Sequence, residues 1–230
     1  MSDAPPRPQR RVVQAEALAW LADNPAAPGS SVVTSLPDVS ELPTLGFEGW
    51  RSWFIEASRR ILRWVPDEGA AVFFQSDVRY QGVWIDKAYL VQRAAEDVGA
   101  LLLRHTIVCR RAPGTLSQGR ASYSHLLCFS RRFIAPKRPR PDVLPDAGRM
   151  IWPKAMGLEA CRLACDFLRE ETETTLVVDP FCGRGSVLAV ANALGLDALG
   201  VDLSAKRCRN ARSLDLATLD AEREPADEIE

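Results

Sequence analysis

TLVVDPFCGRGSVLAVANALGLDALGVDLS, residues 175–204, decides the reading of this chain. Residues 176–178 are a short apolar run rich in β-branched side chains, the pattern of a buried strand. Gly183 and Gly185 then open a tight turn, residues 186–194 carry helical spacing on an alanine-rich stretch, and residues 198–201 are a second apolar run ending on Asp202. Strand, glycine turn, helix and strand make one unit of a parallel sheet. Such a unit brings a glycine loop, a helix N-terminus and an acid to the carboxyl ends of neighbouring strands, where open α/β sheets bind ligands.

Residue chemistry narrows the ligand. A Walker loop ends in a lysine followed by serine or threonine, and FCGRGS has no such lysine. A dinucleotide fold lays a pyrophosphate on its helix N-terminus, yet an acid, Asp179, stands just before this loop. A carboxylate there repels phosphate but accepts from the ammonium of an amino-acid moiety. Asp202 suits ribose hydroxyls. A nucleoside carrying an uncharged linker and a zwitterionic tail therefore fits better than a dinucleotide.

On these residues, DPFCGRGS followed by GVDLS resembles the cofactor motifs of class I S-adenosylmethionine-dependent methyltransferases, especially those acting on exocyclic amino groups of nucleic-acid bases. The alternative is a glycine turn in an ordinary α/β domain. The resemblance implies S-adenosyl-L-methionine as cofactor. Asp179, Pro180, Phe181, Cys182, Gly183, Gly185 and Ser186 would hold it from the loop, and Asp202 and Leu203 from the end of the second strand.

Other segments take their places in the same fold. VVQAEALAWLA, residues 12–22, has the form of the third strand followed by the acid that often hydrogen-bonds the cofactor adenine, here Glu16; the alternative for Glu16 is a solvated helix position. Residues 31–34 resemble the fourth strand, which in this family ends in Asp, Asn or Ser, then Pro-Pro, then an aromatic. Ser35 and Pro37 match the first and third positions, while Leu36 replaces a proline and Asp38 replaces the aromatic. The resemblance implies that the Ser35 side chain and the Leu36 carbonyl accept hydrogen bonds from the target amine. Asp38 cannot stack on a base, but it can accept a hydrogen bond; in an ordinary turn it would instead cap the next segment.

Residues 50–64 have a helical pattern, and residues 70–74 read as the fifth strand. The strand runs into QSDVRYQGVWIDK, residues 75–87, where Asp77, Arg79, Tyr80, Trp84 and Lys87 supply donors, acceptors and flat surfaces suited to an unstacked base. Alternatively, Asp77 and Lys87 are turn and helix-surface groups and Trp84 packs on the sheet. Residues 101–109 and 122–130 fit an antiparallel closing pair. His105 and His125 lie in these two segments and have no metal-ligand companion at useful spacing. MIWPKAMG, residues 150–157, resembles the segment before the cofactor strand, which implies that Trp152 and Lys154 border the cofactor's methionine end; the alternative for Lys154 is a surface position. The expected architecture is α/β: a Rossmann-like class I methyltransferase sheet of about seven strands, order 3-2-1-4-5-7-6 with strand 7 antiparallel, circularly permuted. It is expected to fill residues 11–219 as one domain, between a disordered segment, residues 1–10, and an acidic tail, residues 220–230.

Composition sets further bounds. With 230 residues, 47% of them hydrophobic, the chain suffices for one substantial core. The net charge of -1 hides basic clusters at Arg7, Arg10 and Arg11 and at Arg131, Arg132, Lys137, Arg138 and Arg140. Such patches can hold a polyanion, and residues 136–145 read either as a lid or polyanion contact or as a solvated loop. Six cysteines without a CxxC framework and two histidines imply reduced thiols and no metal site. No signal core or membrane-length apolar stretch is seen, so a cytoplasmic, non-membrane protein is expected.

The expected function is methyl transfer to an exocyclic amine of a nucleic-acid base. RNA is preferred as partner, because the short chain lacks a further domain to read duplex DNA through its major groove. A DNA adenine-N6 or cytosine-N4 methyltransferase is the alternative. A cofactor-retaining RNA-binding protein without catalysis is a third reading, prompted by the altered Ser35-Leu36-Pro37-Asp38 motif. A covalent cysteine mechanism is disfavoured, because Cys182 belongs to the glycine loop.

Overall fold

The computed structural model describes residues 7–116 and 120–217. In chain order the elements are β1 (Arg10–Gln14), α1 (Ala17–Asp23), β2 (Ser30–Thr34), α2 (Gly46–Trp64), β3 (Ala71–Gln75), β4 (Val78–Tyr80), β5 (Val83–Ile85), α3 (Lys87–Glu96), β6 (Leu101–Cys109), β7 (Tyr123–Ser130), β8 (Val143–Leu144), α4 (Leu158–Glu171), β9 (Leu176–Asp179), α5 (Ser186–Ala193), β10 (Asp197–Asp202) and α6 (Ala205–Ser213). The main sheet runs β1-β10-β9-β2-β3-β7-β6-β8. Its first five strands are mutually parallel, and β7 pairs antiparallel with both β3 and β6. With β9 and β10 counted as strands one and two, β1 as three, and β2 and β3 as four and five, this is the expected order 3-2-1-4-5-7-6.

Two differences from expectation stand out. The two-residue β8 adds an eighth strand beside β6. The polar run after β3 folds into a hairpin, β4 with β5, turning at Gln81 (φ 48°) and Gly82 (φ 82°). Positive φ at both turn positions matches the right-handed twist of the flanking strands.

Strand alternation divides the core into two layers. Val72 and Phe74 of β3 pack in the layer with α4, α5 and α6, and Ala71 and Phe73 pack in the layer with α1, α2 and α3. The helices begin and end at chemically legible points. The Asp86 carboxylate accepts from the Tyr89 amide (2.8 Å) at the start of α3, and Ser204 caps α6 through the Arg207 amide (3.4 Å). Val65, held extended before Pro66, terminates α2.

Order begins inside the segment expected to be disordered: the Gln9 amide donates to Asp197 (2.7 Å) and Arg10 opens β1. Residues 1–6 and the acidic tail, residues 220–230, lie outside the described residues. Several basic side chains are committed to the fold. Arg10 donates to Asn192 (2.7 Å), Arg131 pairs with Asp67 (2.7 Å), and Arg140 pairs with Glu170 (2.6 Å) and the buried Glu171 (3.3 Å). The Pro-rich excursion is thereby tied to the C-terminal end of α4. All six cysteines are free and buried. Among the described residues no helix is long and apolar enough to cross a membrane.

Candidate functional site

The carboxyl ends of β10, β9, β2 and β3 meet at one edge of the sheet. The glycine loop after β9 is laid against the end of β10: the Cys182 amide donates to Val201 O (3.0 Å) and the Gly183 amide to Asp202 Oδ2 (3.2 Å). Gly183 and Gly185 have φ of 54° and 89°, a region that favours glycine. A Cβ on Gly185 would also lie 2.9 Å from Cα and Cβ of Ala211 in α6, so the loop admits no side chain there. Ser186, the first residue of α5, has a buried Oγ without a hydrogen-bond partner.

Two acids flank this loop. Asp179 is 5% exposed, and its Oδ1 accepts from Thr34 Oγ1 (2.7 Å) and the Phe181 amide (3.1 Å). Burial pushes its carboxyl up to about 7 against those hydrogen bonds, with the charge of Asp202 adding to the rise. Asp202 accepts from the Ser204 amide (2.7 Å) through Oδ1, and Leu203 beside it is 68% exposed. Gln14 of β1 pairs with Asp202, which brings Glu16 to the same edge. The Glu16 carboxylate there accepts from the Ala19 amide (2.6 Å) and caps α1. Phe181 packs edge-on against Trp53 of α2, and Trp152 covers the loop with the Arg184 guanidinium over its ring at 5.6 Å. Lys154, at φ 74°, reaches Ser40 Oγ at 3.5 Å across the cleft. Cys182 is buried and its thiol is pushed up by burial and the two acids. That environment suppresses a thiolate nucleophile.

The Thr34–Asp179 bond couples this loop to the segment after β2. Leu36 is buried, and the Pro37 carbonyl accepts from the indole of Trp50 (3.1 Å). The Asp38 amide donates to Glu41 (3.0 Å), while the Asp38 Oδ1 is buried and has no partner. Pro37 is therefore held by Trp50 and Asp38 by the Glu41 side chain in a capping box, with one Asp38 carboxylate oxygen left over.

The base-side residues gather on the hairpin and the start of α3. Asp77 accepts from the Lys87 amide (2.9 Å), Trp84 Nε1 (3.2 Å) and His125 Nε2 (3.1 Å). Burial raises its carboxyl, but the hydrogen bonds from His125 and Lys87 outweigh it and leave the group below the usual range. Arg79 lies over the Trp84 ring at 5.2 Å, and Tyr80 stacks on Phe47 at 4.4 Å and 11°. Lys87 is 4% exposed; burial lowers its ammonium, opposed by Asp38, Asp77 and Glu41.

Several of these groups escape sequence reading. Phe47 and Trp50 follow the Ser35-Leu36-Pro37-Asp38 motif at no diagnostic spacing, and Gln75 is legible only once its burial is known. His125 joins Asp77 through strand pairing, and its other nitrogen meets His105 Nε2 at 3.0 Å. The fold also gathers Asp77, Asp86 and His125, whose ligand-type atoms lie within 4.8 Å of one another, a proximity that sequence spacing does not show. Asp77 and Asp86 already accept protein hydrogen bonds there.

No protein-family model matches the chain, and no curated protein does. Solved structures do match. A putative DNA modification methylase from Thermus thermophilus, complexed with S-adenosyl-L-methionine, superposes with a TM-score of 0.67 at 20% identity, over 88% of this chain and 92% of that one. The PvuII DNA methyltransferase described as cytosine-N4-specific gives 0.68 at 16%, over 92% and 90%. The M1.HpyAVI–SAM complex gives 0.59 at 14%, over 89% and 98%.

These matches overturn the preference for RNA. That preference rested on the lack of a further recognition domain, yet structures described as DNA methylases are covered over 90–92% of their length by this short chain. Lack of an added domain therefore says nothing against DNA. Strand order, permutation and superposition together give the chain the circularly permuted fold of the class I S-adenosylmethionine-dependent methyltransferases.

Proposed function

We propose that this chain is an S-adenosylmethionine-dependent DNA methyltransferase acting on an exocyclic amine, adenine N6 or cytosine N4. The observation that carries the reading is the Thr34–Asp179 hydrogen bond of 2.7 Å. It ties the glycine loop to the Ser35-Leu36-Pro37-Asp38 segment across 145 positions of sequence, so cofactor and target amine would be held by one rigid edge. The residues present fit the cofactor: Asp179 for its ammonium, Asp202 for ribose hydroxyls, Ser186 Oγ as an unused hydrogen-bonding group, and Glu16, Leu203 and Lys154 bordering the cleft. Structures of the same fold that hold S-adenosylmethionine support the choice.

When bound, the cofactor supplies a methyl already activated on its sulfonium. The chain's task is then alignment and exclusion of water. The Ser35 side chain and the Leu36 carbonyl accept from the amine and aim its lone pair. Asp38, with an unpartnered oxygen, orients the amine or receives its proton. Tyr80 and Trp84 supply the aromatic surface that Asp38 cannot, Asp77 holds Trp84 in place, and Arg79 and Lys87 contribute positive charge toward the nucleic acid. The test is transfer from labelled S-adenosylmethionine to unmethylated duplex DNA and to structured RNA, with nucleosides resolved by mass. Methylated base in DNA is expected; transfer confined to RNA, or absent from both, refutes the reading.

A further inference from the structure

We propose that Gln75 and Lys87 form the specificity pair of this site and select cytosine as its target base. The inference rests on the base-methylation reading and narrows its substrate. Gln75, the last residue of β3, is 0% exposed, and neither Oε1 nor Nε2 of its amide has a hydrogen-bond partner. Leaving a buried polar group unpaired costs about 1–3 kcal/mol, and such groups are rare enough in folded proteins to require an explanation.

The surroundings supply one. Ala71 and Phe73 of β3 face the layer of α1, α2 and α3, and alternation puts Gln75 on that face. Thr34, the last residue of β2, pairs with Phe73 across parallel strands, and continuing that register past the strand end would set Leu36 level with Gln75. The amide thus adjoins the segment proposed to hold the target amine. On the same face the Lys87 ammonium is buried 6.0 Å from the Phe54 ring centroid. The negative charges of Asp38, whose Oδ1 also lacks a partner, and of Asp77 and Glu41 favour the charged form against burial.

An amide presents a donor beside an acceptor. Its Nε2 can donate to N3 of cytosine or to N1 of adenine while the two amino hydrogens go to Ser35 and Leu36, so Gln75 alone fits either amino base. Lys87 separates them. Next to N3 cytosine carries O2, a second acceptor, where adenine has only a C–H. An adenine in this pocket leaves a buried ammonium facing carbon, and a site built for a hydrogen bond rejects an analogue that lacks it by large factors.

The experiment measures methyl transfer by the full chain to unmethylated duplex DNA of mixed sequence, with wild type, Gln75→Met and Lys87→Met, alongside cofactor titration and thermal unfolding. N4-methylcytosine is expected to exceed N6-methyladenine at least about a hundredfold in wild type. Gln75→Met should lose about tenfold or more in rate at unchanged cofactor affinity, with an unchanged or raised unfolding temperature, because it removes an unpaired buried amide. Lys87→Met should narrow the cytosine-to-adenine ratio. N6-methyladenine as the main wild-type product overturns the inference whether or not the variants fold. Full cytosine rate in folded Gln75→Met, or an unchanged base ratio in folded Lys87→Met, overturns it too. All three leave the methyltransferase reading standing. No methylated base in DNA from cofactor-bound wild type refutes that reading and the inference with it.

Discussion

Asp179→Asn separates two effects of one buried carboxylate. In the fold the Asp179 carboxyl is pushed up to about 7 by burial and by Asp202, whereas an unfolded chain titrates an aspartate near 3.9. Between those values the native state holds a proton that the unfolded state has released. Stability should therefore fall as pH rises from about 4 and level off above about 7, by roughly 4 kcal/mol at 1.36 kcal/mol per pH unit. Asparagine keeps the oxygen that accepts from Thr34 and Phe181 and never ionises. The variant should match wild type near pH 4 and exceed it by a few kcal/mol at pH 8. Cofactor binding should move the other way. If Asp179 accepts from the cofactor ammonium, wild-type affinity should strengthen as pH rises through 7, and the variant should bind about tenfold to a hundredfold more weakly at pH 8, the loss of a charged hydrogen bond worth roughly 1.5–3 kcal/mol. Urea unfolding of cofactor-free protein from pH 4 to 8.5 and calorimetric titration at pH 8 measure both. A stability difference that does not change with pH refutes the buried-ionisation argument. Equal affinities at pH 8 refute the ammonium contact.

Three further substitutions probe the same edge. Asp202→Ala should weaken cofactor binding about tenfold to a hundredfold in a protein that still folds; equal titrations would remove Asp202 from the site. Gly185→Ala must place a Cβ 2.9 Å from Ala211 at φ 89°, and a loss of about 2 kcal/mol should lower the unfolding temperature by about 4–8 °C; an unchanged temperature would refute the close packing of loop and α6. For Asp38, single-turnover transfer should fall from wild type to Asn to Ala, by about tenfold or more for Ala, and by more than any stability loss from the capping box that Asp38 forms with Glu41, because Oδ1 stays unpartnered. Stability losses that parallel the rate losses would assign Asp38 to capping instead.

Much of the fold was legible because its signals are local. Residues 176–178, 198–201, 31–34 and 70–74 are short runs rich in apolar and β-branched side chains that stop at Asp179, Asp202, Ser35 and Gln75, and each became a parallel strand within a residue or two of expectation. The hairpin was not legible: β4 and β5 are three residues each, largely polar or exposed, and turn at Gln81-Gly82 without the usual Asn or Asp. Residues 136–145 read either as a lid or polyanion contact or as a solvated loop, and no local pattern shows that Arg140 meets Glu170 and Glu171, about thirty positions away.

By itself the sequence determined the permuted order of strands and the acids at their ends, since periodicity, glycine spacing and carboxylates are properties of neighbouring residues. Only the tertiary structure decided what those groups meet. It set Thr34 on Asp179, closed His125 and the Lys87 amide onto Asp77, buried the Lys87 side chain, and left the Gln75 amide, Ser186 Oγ and one Asp38 oxygen without partners. Burial and hydrogen-bond satisfaction depend on residues brought together from distant parts of the chain, and no local pattern encodes which donor reaches which acceptor.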